Sequence, residues 1–214
     1  MFPFCPPPTP WWKDLLLALP GVVTAGAALG GLGIARAGLD TWRRETIGKR
    51  KAELAEAVLA DFYEARDIID HAREPFGADG EGRTRERGEG ETEQDSNTLD
   101  SYFRHVERLN NRSEFFAKLR ARLYQYQALF GVSASRPFDQ LLKIRVDIIH
   151  AARRLIFYHN SADHSDRLNQ ERVKWMETLG LTGGYGPIDQ RMEELMRAIE
   201  ETCRPAIRER EGLE

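Results

Sequence analysis

Five histidines, His71, His105, His150, His159 and His164, are the side chains of this chain best suited to proton transfer or metal ligation near neutral pH. His159, Asp163, His164 and Asp166 stand close together in the string His-Asn-Ser-Ala-Asp-His-Ser-Asp, which offers imidazole and carboxylate ligands at short spacing. Asn, Ser and Asp in such a string serve turns and helix caps, so it reads as a connection between helices and no metal is expected. Cys5 and Cys203, the two cysteines, give neither a metal-ligand spacing nor a disulfide framework. Gly183-Gly184-Tyr185-Gly186-Pro187 lacks the strand-to-helix setting of a phosphate loop. No cofactor is expected, and no catalytic residue is assigned in the first reading.

Arg145 and His150 bound the string Arg-Val-Asp-Ile-Ile-His, an arginine and a histidine with four residues between them. This spacing resembles the motif of the HEPN ribonucleases, helical-bundle proteins that dimerise and bring arginine and histidine together at a cleft to cut RNA. The resemblance covers six of 214 residues, and Val146 stands where that family often has a polar residue. It implies Arg145 and His150 as a catalytic pair, the alternative to a non-enzymatic reading. On an uninterrupted helix of about 100° per residue, a five-residue step separates the two side chains by about 140°. Arg145 then falls at the middle of an apolar face, and His150 falls among Lys143, Asp147 and Arg154 on the wet side. An arginine centred on a core face needs a partner, because an unpaired buried charge is costly. Glu64, Asp67, Glu107 and Glu114 are the expected candidates for an ion pair with Arg145.

The elements that must position these residues follow from the charge pattern. A formal net charge of −3 lacks the basic surplus of a general nucleic-acid binder, so no nucleic-acid partner is expected. The average conceals an asymmetry, because residues 15–35 carry no charge while the chain beyond is dense in Arg and Glu. At about 1.5 Å rise per residue this run is about 31 Å long, the thickness of a hydrocarbon core. Trp11, Trp12 and Lys13 bracket it on one side, and Arg36, Trp42, Arg43 and Arg44 on the other. The expected layout is a proline-rich extracytoplasmic tail (1–10), a single transmembrane helix (11–42) and a cytoplasmic helical domain (43–214). Lys13 alone precedes the run, whereas Arg36, Arg43, Arg44, Lys49, Arg50 and Lys51 follow it. The positive-inside rule therefore puts the N-terminus outside and the C-terminal domain inside the inner membrane of a bacterial cell. Arg43, Arg44, Lys49, Arg50 and Lys51 could also meet anionic lipid head groups. Gly26, Gly30 and Gly33 form a small-residue stripe of the kind through which spanning helices associate.

In the remainder, apolar residues recur at helical spacing. Ile47, Leu54, Val58, Phe62, Ala65, Ile69 and Ala72 trace one helix that Pro75 ends, with only Gly38 and Gly48 threatening its continuity with the spanning segment. Residues 99–130 read as a second helix, 137–158 as a third with a broad apolar face, and shorter helices begin near Ser165 and Pro187. Residues 77–98, rich in Gly, Glu and Arg and almost without apolar side chains, read as a disordered loop. The fold class is all-α, a single spanning helix followed by an antiparallel helical bundle. The function that fits is a membrane-anchored adaptor or assembly subunit whose partners are membrane lipid and a homo-oligomer or larger membrane complex. A third possibility is an oligomer that perturbs the membrane.

Overall fold

The computed structural model describes residues 11–161 and 165–211, with side chains described for 12, 31, 36–161 and 165–210. Every regular element among them is helical: α1 (Trp11–Arg73), α2 (Glu93–Asn111), α3 (Ser113–Phe130), a 3-10 turn at Ser133–Ser135, α4 (Arg136–Phe157), α5 (Asp166–Thr178) and α6 (Pro187–Glu211). The chain divides into two units, Met1–Lys49 and Arg50–Glu214.

In the first unit α1 is helical from Trp11 onward, through Pro20, Gly38 and Gly48. Among the described residues, no helix is long and apolar enough to cross a membrane. The tail 1–10 lies outside the described residues, as do the side chains of 13–30 and 32–35, which hold the uncharged run and Gly26, Gly30 and Gly33. Arg43, Arg44 and Lys49 are exposed.

The second unit is a helical bundle. The α1 stretch from Arg50 onward buries Ala52, Ala55, Val58, Phe62, Ala65, Ile69 and Ala72, each at most 1% exposed. Of the expected stripe, Val58 to Ala72 lie inside, Leu54 is partly buried, and Ile47 is 51% exposed. Phe62 meets Phe138 of α4 edge-on at 4.8 Å, and Tyr126 of α3 lies 5.3 Å from Phe138 and stacks on Phe130 at 4.4 Å. These rings, with Leu141, Ile144 and Ile148 of α4 and Leu195 and Ile199 of α6, form the centre of the core. The helix α4 packs against α2, α3, α5 and α6, which is why its sequence carries so wide an apolar face.

Local chemistry explains the breaks. Pro75 bars continuation of α1, and Gly131, at φ 88°, ends α3 by donating its N–H to the Gln127 carbonyl at 3.0 Å. Thr92 caps α2 by accepting from the Asp95 N–H, and Ser165 caps α5 by accepting from the Leu168 N–H. Two expectations are corrected. The helix expected over 99–130 is two helices, parted at Arg112, where Asn110, Asn111 and Ser113 weaken helical continuity. The segment 77–98, expected to be a disordered loop throughout, contains the start of α2 at Glu93 and makes specific polar contacts with it.

The physical reason is charge rather than apolar area. Arg85 donates to both carboxylate oxygens of Glu91 at 2.9 and 2.7 Å and to Asp100 at 3.3 Å, with Arg85, Glu91 and Asp100 side chains all less than a tenth exposed. The Glu107 carboxylate accepts from the Gly82 N–H and from the Thr84 hydroxyl. Gly82 sits at φ 85°, and a Cβ there would stand 2.0 Å from the Asp100 carbonyl oxygen, so this close approach requires glycine.

Candidate functional site

The interior polar groups are engaged in closing helix ends. Arg108 of α2 donates to the carbonyls of His71, Glu74 and Phe76 at 2.8–2.9 Å and to Glu81 at 2.7 Å, supplying the acceptors at the end of α1 with donors. Arg73 makes a two-pronged pair with Asp189 at 2.6 and 3.2 Å and donates to the Thr178 carbonyl at 3.1 Å, tying α1 to the α5–α6 junction. The Gly186 N–H donates to the same Asp189, so the Gly-rich string between α5 and α6 is a structural joint.

Arg145 finds none of the acidic partners expected for it. Its guanidinium carbon lies 4.9 Å from the centre of the Phe116 ring, and its Nε has no hydrogen-bond partner. Burial, and then the neighbouring Arg120, hold its pKa below the usual guanidinium value. Of the four carboxylates expected to pair with it, three are otherwise placed: Glu114 pairs with Lys118 at 2.9 Å, Asp67 with Arg66 at 3.8 Å, and Glu107 with the loop. A half-buried cation can rest on a ring face, which needs no counter-charge.

His150 goes elsewhere. It lines a groove of about 640 Å³ between α4 and α5 with Asp147, Arg154, Tyr158, Arg167, Glu171 and Trp175. A second depression of about 490 Å³ shares His150, Arg154 and Tyr158 and adds Arg153 and Phe157. Arg145 lines neither, so the two residues of the Arg-x4-His string are not brought together. In the groove, Asp147 pairs with Arg191 at 2.7 Å and Glu171 with Lys174 at 2.8 Å. Arg153, Arg154 and Arg167 have no ion-pair partner among the described residues. Tyr158 and Trp175 stack on each other at 5.7 Å, and Phe157, 78% exposed, meets Tyr158 edge-on at 4.9 Å.

His159 pairs with Asp95 at 3.0 Å, linking the start of α2 to the α4–α5 connection. Asp163 and His164 lie outside the described residues, and no group that could hold a metal occurs among the described ones.

Sequence reasoning passed over Arg153, Arg154, Phe157 and Arg167. A signal was present: Val146, His150, Arg153 and Phe157 step by four, three and four along α4, directly opposite its core face. All four are exposed.

Comparison with protein-family models, with curated proteins and with solved structures gave no match to this chain.

Proposed function

We propose that the chain is a membrane-anchored adaptor or assembly subunit that acts by protein–protein contacts through its N-terminal helix and its bundle. The observation that carries the adaptor reading is the outer face of α4. There Val146 is 43% and Phe157 78% exposed, in line with His150 and Arg153, on a helix whose opposite face is core. An aromatic side chain left so far in water costs hydration free energy that a partner surface would recover. The anchor rests on the uncharged run 15–35 with its flanking tryptophans and basic residues. The excess of basic residues after that run favours an inner-membrane orientation with the N-terminus outside and the bundle in the cytoplasm. Arg43, Arg44, Lys49, Arg50 and Lys51 would then lie toward anionic head groups, and Gly26, Gly30 and Gly33 would serve helix association in the bilayer.

Two measurements test this. A photo-crosslinking amino acid placed at Phe157 in the native host should yield a discrete adduct absent when the same group replaces Tyr124, also exposed. Identical adducts from both positions, or none from Phe157, would remove the adaptor reading. Reporter fusions at Glu214 that are active only on the outer face would overturn the orientation.

A further inference from the structure

We propose that the groove between α4 and α5, together with the depression that adjoins it at His150, Arg154 and Tyr158, binds an acidic peptide segment of a partner protein, one that also carries apolar side chains. The inference rests on the adaptor reading and names the chemistry of its ligand.

Charge is the first argument. The two carboxylates lining the groove are already matched, Asp147 by Arg191 at 2.7 Å and Glu171 by Lys174 at 2.8 Å. Arg154 and Arg167 line the groove and Arg153 the adjoining depression. None of the three stands within ion-pair distance of a carboxylate among the described residues, although Arg167 lies near enough to Glu171 to help Lys174 hold that carboxyl's pKa down. Elsewhere in this molecule three inward-lying guanidiniums take acidic partners, Arg73 with Asp189, Arg85 with Glu91 and Asp100, and Arg108 with Glu81, whereas Arg145 rests on a ring. Guanidinium recognises carboxylate through paired, coplanar N–H donors, so the unfilled positions fit Asp and Glu side chains.

The apolar contribution comes from Phe157, 78% exposed in the adjoining depression beside Arg153 and Arg154. A ring next to unmatched guanidiniums favours a ligand that alternates carboxylates with aliphatic or aromatic side chains. Single-stranded nucleic acid suits the groove less well. Its affinity in such grooves comes from bases stacked on successive free rings. Here Tyr158 and Trp175 cover each other at 5.7 Å with planes 19° apart.

The test selects short randomised displayed peptides on the full chain in detergent micelles, and then measures the selected peptides in solution. Enriched sequences should be rich in Asp and Glu with interspersed Leu, Ile or Phe. Their affinity should fall by about ten-fold or more in Arg153→Glu/Arg154→Glu/Arg167→Glu, as expected for three lost ion pairs. If that variant melts early, Arg154→Gln and Phe157→Ala, each at an exposed position, decide by the same measurement. No enrichment, enrichment without acidic residues, or equal binding to the variants would overturn the proposal. So would poly-U RNA that displaces the peptides through the same arginines. Crosslinking from position 157 to a partner, with no acidic selection, leaves the adaptor standing and removes this inference alone. Acidic selection with no crosslinked partner leaves the peptide chemistry and removes the adaptor.

Discussion

The Nδ1 of His105 lies 2.6 Å from the carbonyl oxygen of Ala72, and that contact fixes the state of the ring. A carbonyl can only accept, so Nδ1 carries the proton and donates. Nε2 is buried without a hydrogen-bond partner, so the imidazole is held neutral with its lone pair facing the interior. Burial, with further repulsion from Arg108, Arg104 and Arg73, pulls its pKa down from 6.5 to about 4.

The first prediction follows from that shift. Between pH 6.5 and about 4 the unfolded chain takes up a proton that the folded chain refuses, so stability falls as pH drops through this window. The contribution of His105 amounts to about 3 kcal/mol across it, at about 1.4 kcal/mol per pH unit. Denaturant melts at several pH values measure the slope. His105→Asn, which retains an N–H donor for Ala72 but does not titrate, should show a shallower slope than the wild type. Equal slopes would contradict the assignment.

Arg145 resting on Phe116 predicts a modest cost of removal. Arg145→Ala should lower stability by about 1 kcal/mol, the scale of a partly desolvated cation over a ring. The 3–5 kcal/mol that follows when a buried carboxylate is stranded should not appear. A double-mutant cycle with Phe116→Leu should return most of that difference as coupling between the two positions. A coupling near zero with a large single-variant loss would show that Arg145 serves another partner.

In the segment that joins α1 to α2, amide exchange should be slow at Gly82 and in the chain around Arg85. Gly82→Ala forces a Cβ against the Asp100 carbonyl and a strained backbone, and should destabilise by more than the about 1 kcal/mol typical of a simple glycine effect. Arg85→Ala should release the same segment while the helices stay protected. Arg85, hydrogen-bonded to Glu91, holds that carboxyl down at about 2. The clamp is therefore complete above the ordinary carboxylate value of 4.5 and is lost as pH falls toward about 2. Fast exchange throughout the segment in the wild type would refute the clamp.

Cys203 is fully buried, with its sulfur 3.5 Å from the Tyr126 hydroxyl, and burial raises its pKa. In a Cys5→Ser background the thiol should resist alkylation in the folded protein and react at once in denaturant. Comparable rates in both conditions would place Cys203 at the surface.

The apolar faces of α1 beyond Arg50 and of α4 were legible because burial imposes the helical period on the sequence itself. Phe62, Ile69, Phe138, Ile144 and Ile148 lie where that period puts them. The break at Arg112 was hidden because Leu109 and Phe116 keep step across it, although Asn110, Asn111 and Ser113 were the local sign of it. The clamp around Arg85 was illegible for a different reason. Beside the local pair of Arg85 with Glu91, it depends on pairs at longer range, such as Glu81 with Arg108 and Arg85 with Asp100, and charge pairing across a fold leaves no periodic trace. For Arg145, burial was read correctly but its remedy was not, since a ring face and a carboxylate satisfy a cation alike. The outer face of α4, which meets the groove at His150, was half visible. The stripe from Val146 to Phe157 has the spacing of a helix face, but two of its four members are basic or titratable, so it resembled ordinary solvated surface.

The closure of α1 by Arg108 and His105 bears on how the chain is made. The carbonyls of His71 and Ala72 are met by side chains that lie 37 and 33 residues further along. During synthesis the last turn of α1 leaves the ribosome with only the local Glu74 N–H on the His71 carbonyl, and the donors from His105 and Arg108 arrive only once α2 has been made and has docked. A nascent chain stopped short of His105 therefore carries a frayed α1. Completion of that helix is a tertiary event, timed by translation of α2 rather than by the local sequence of α1.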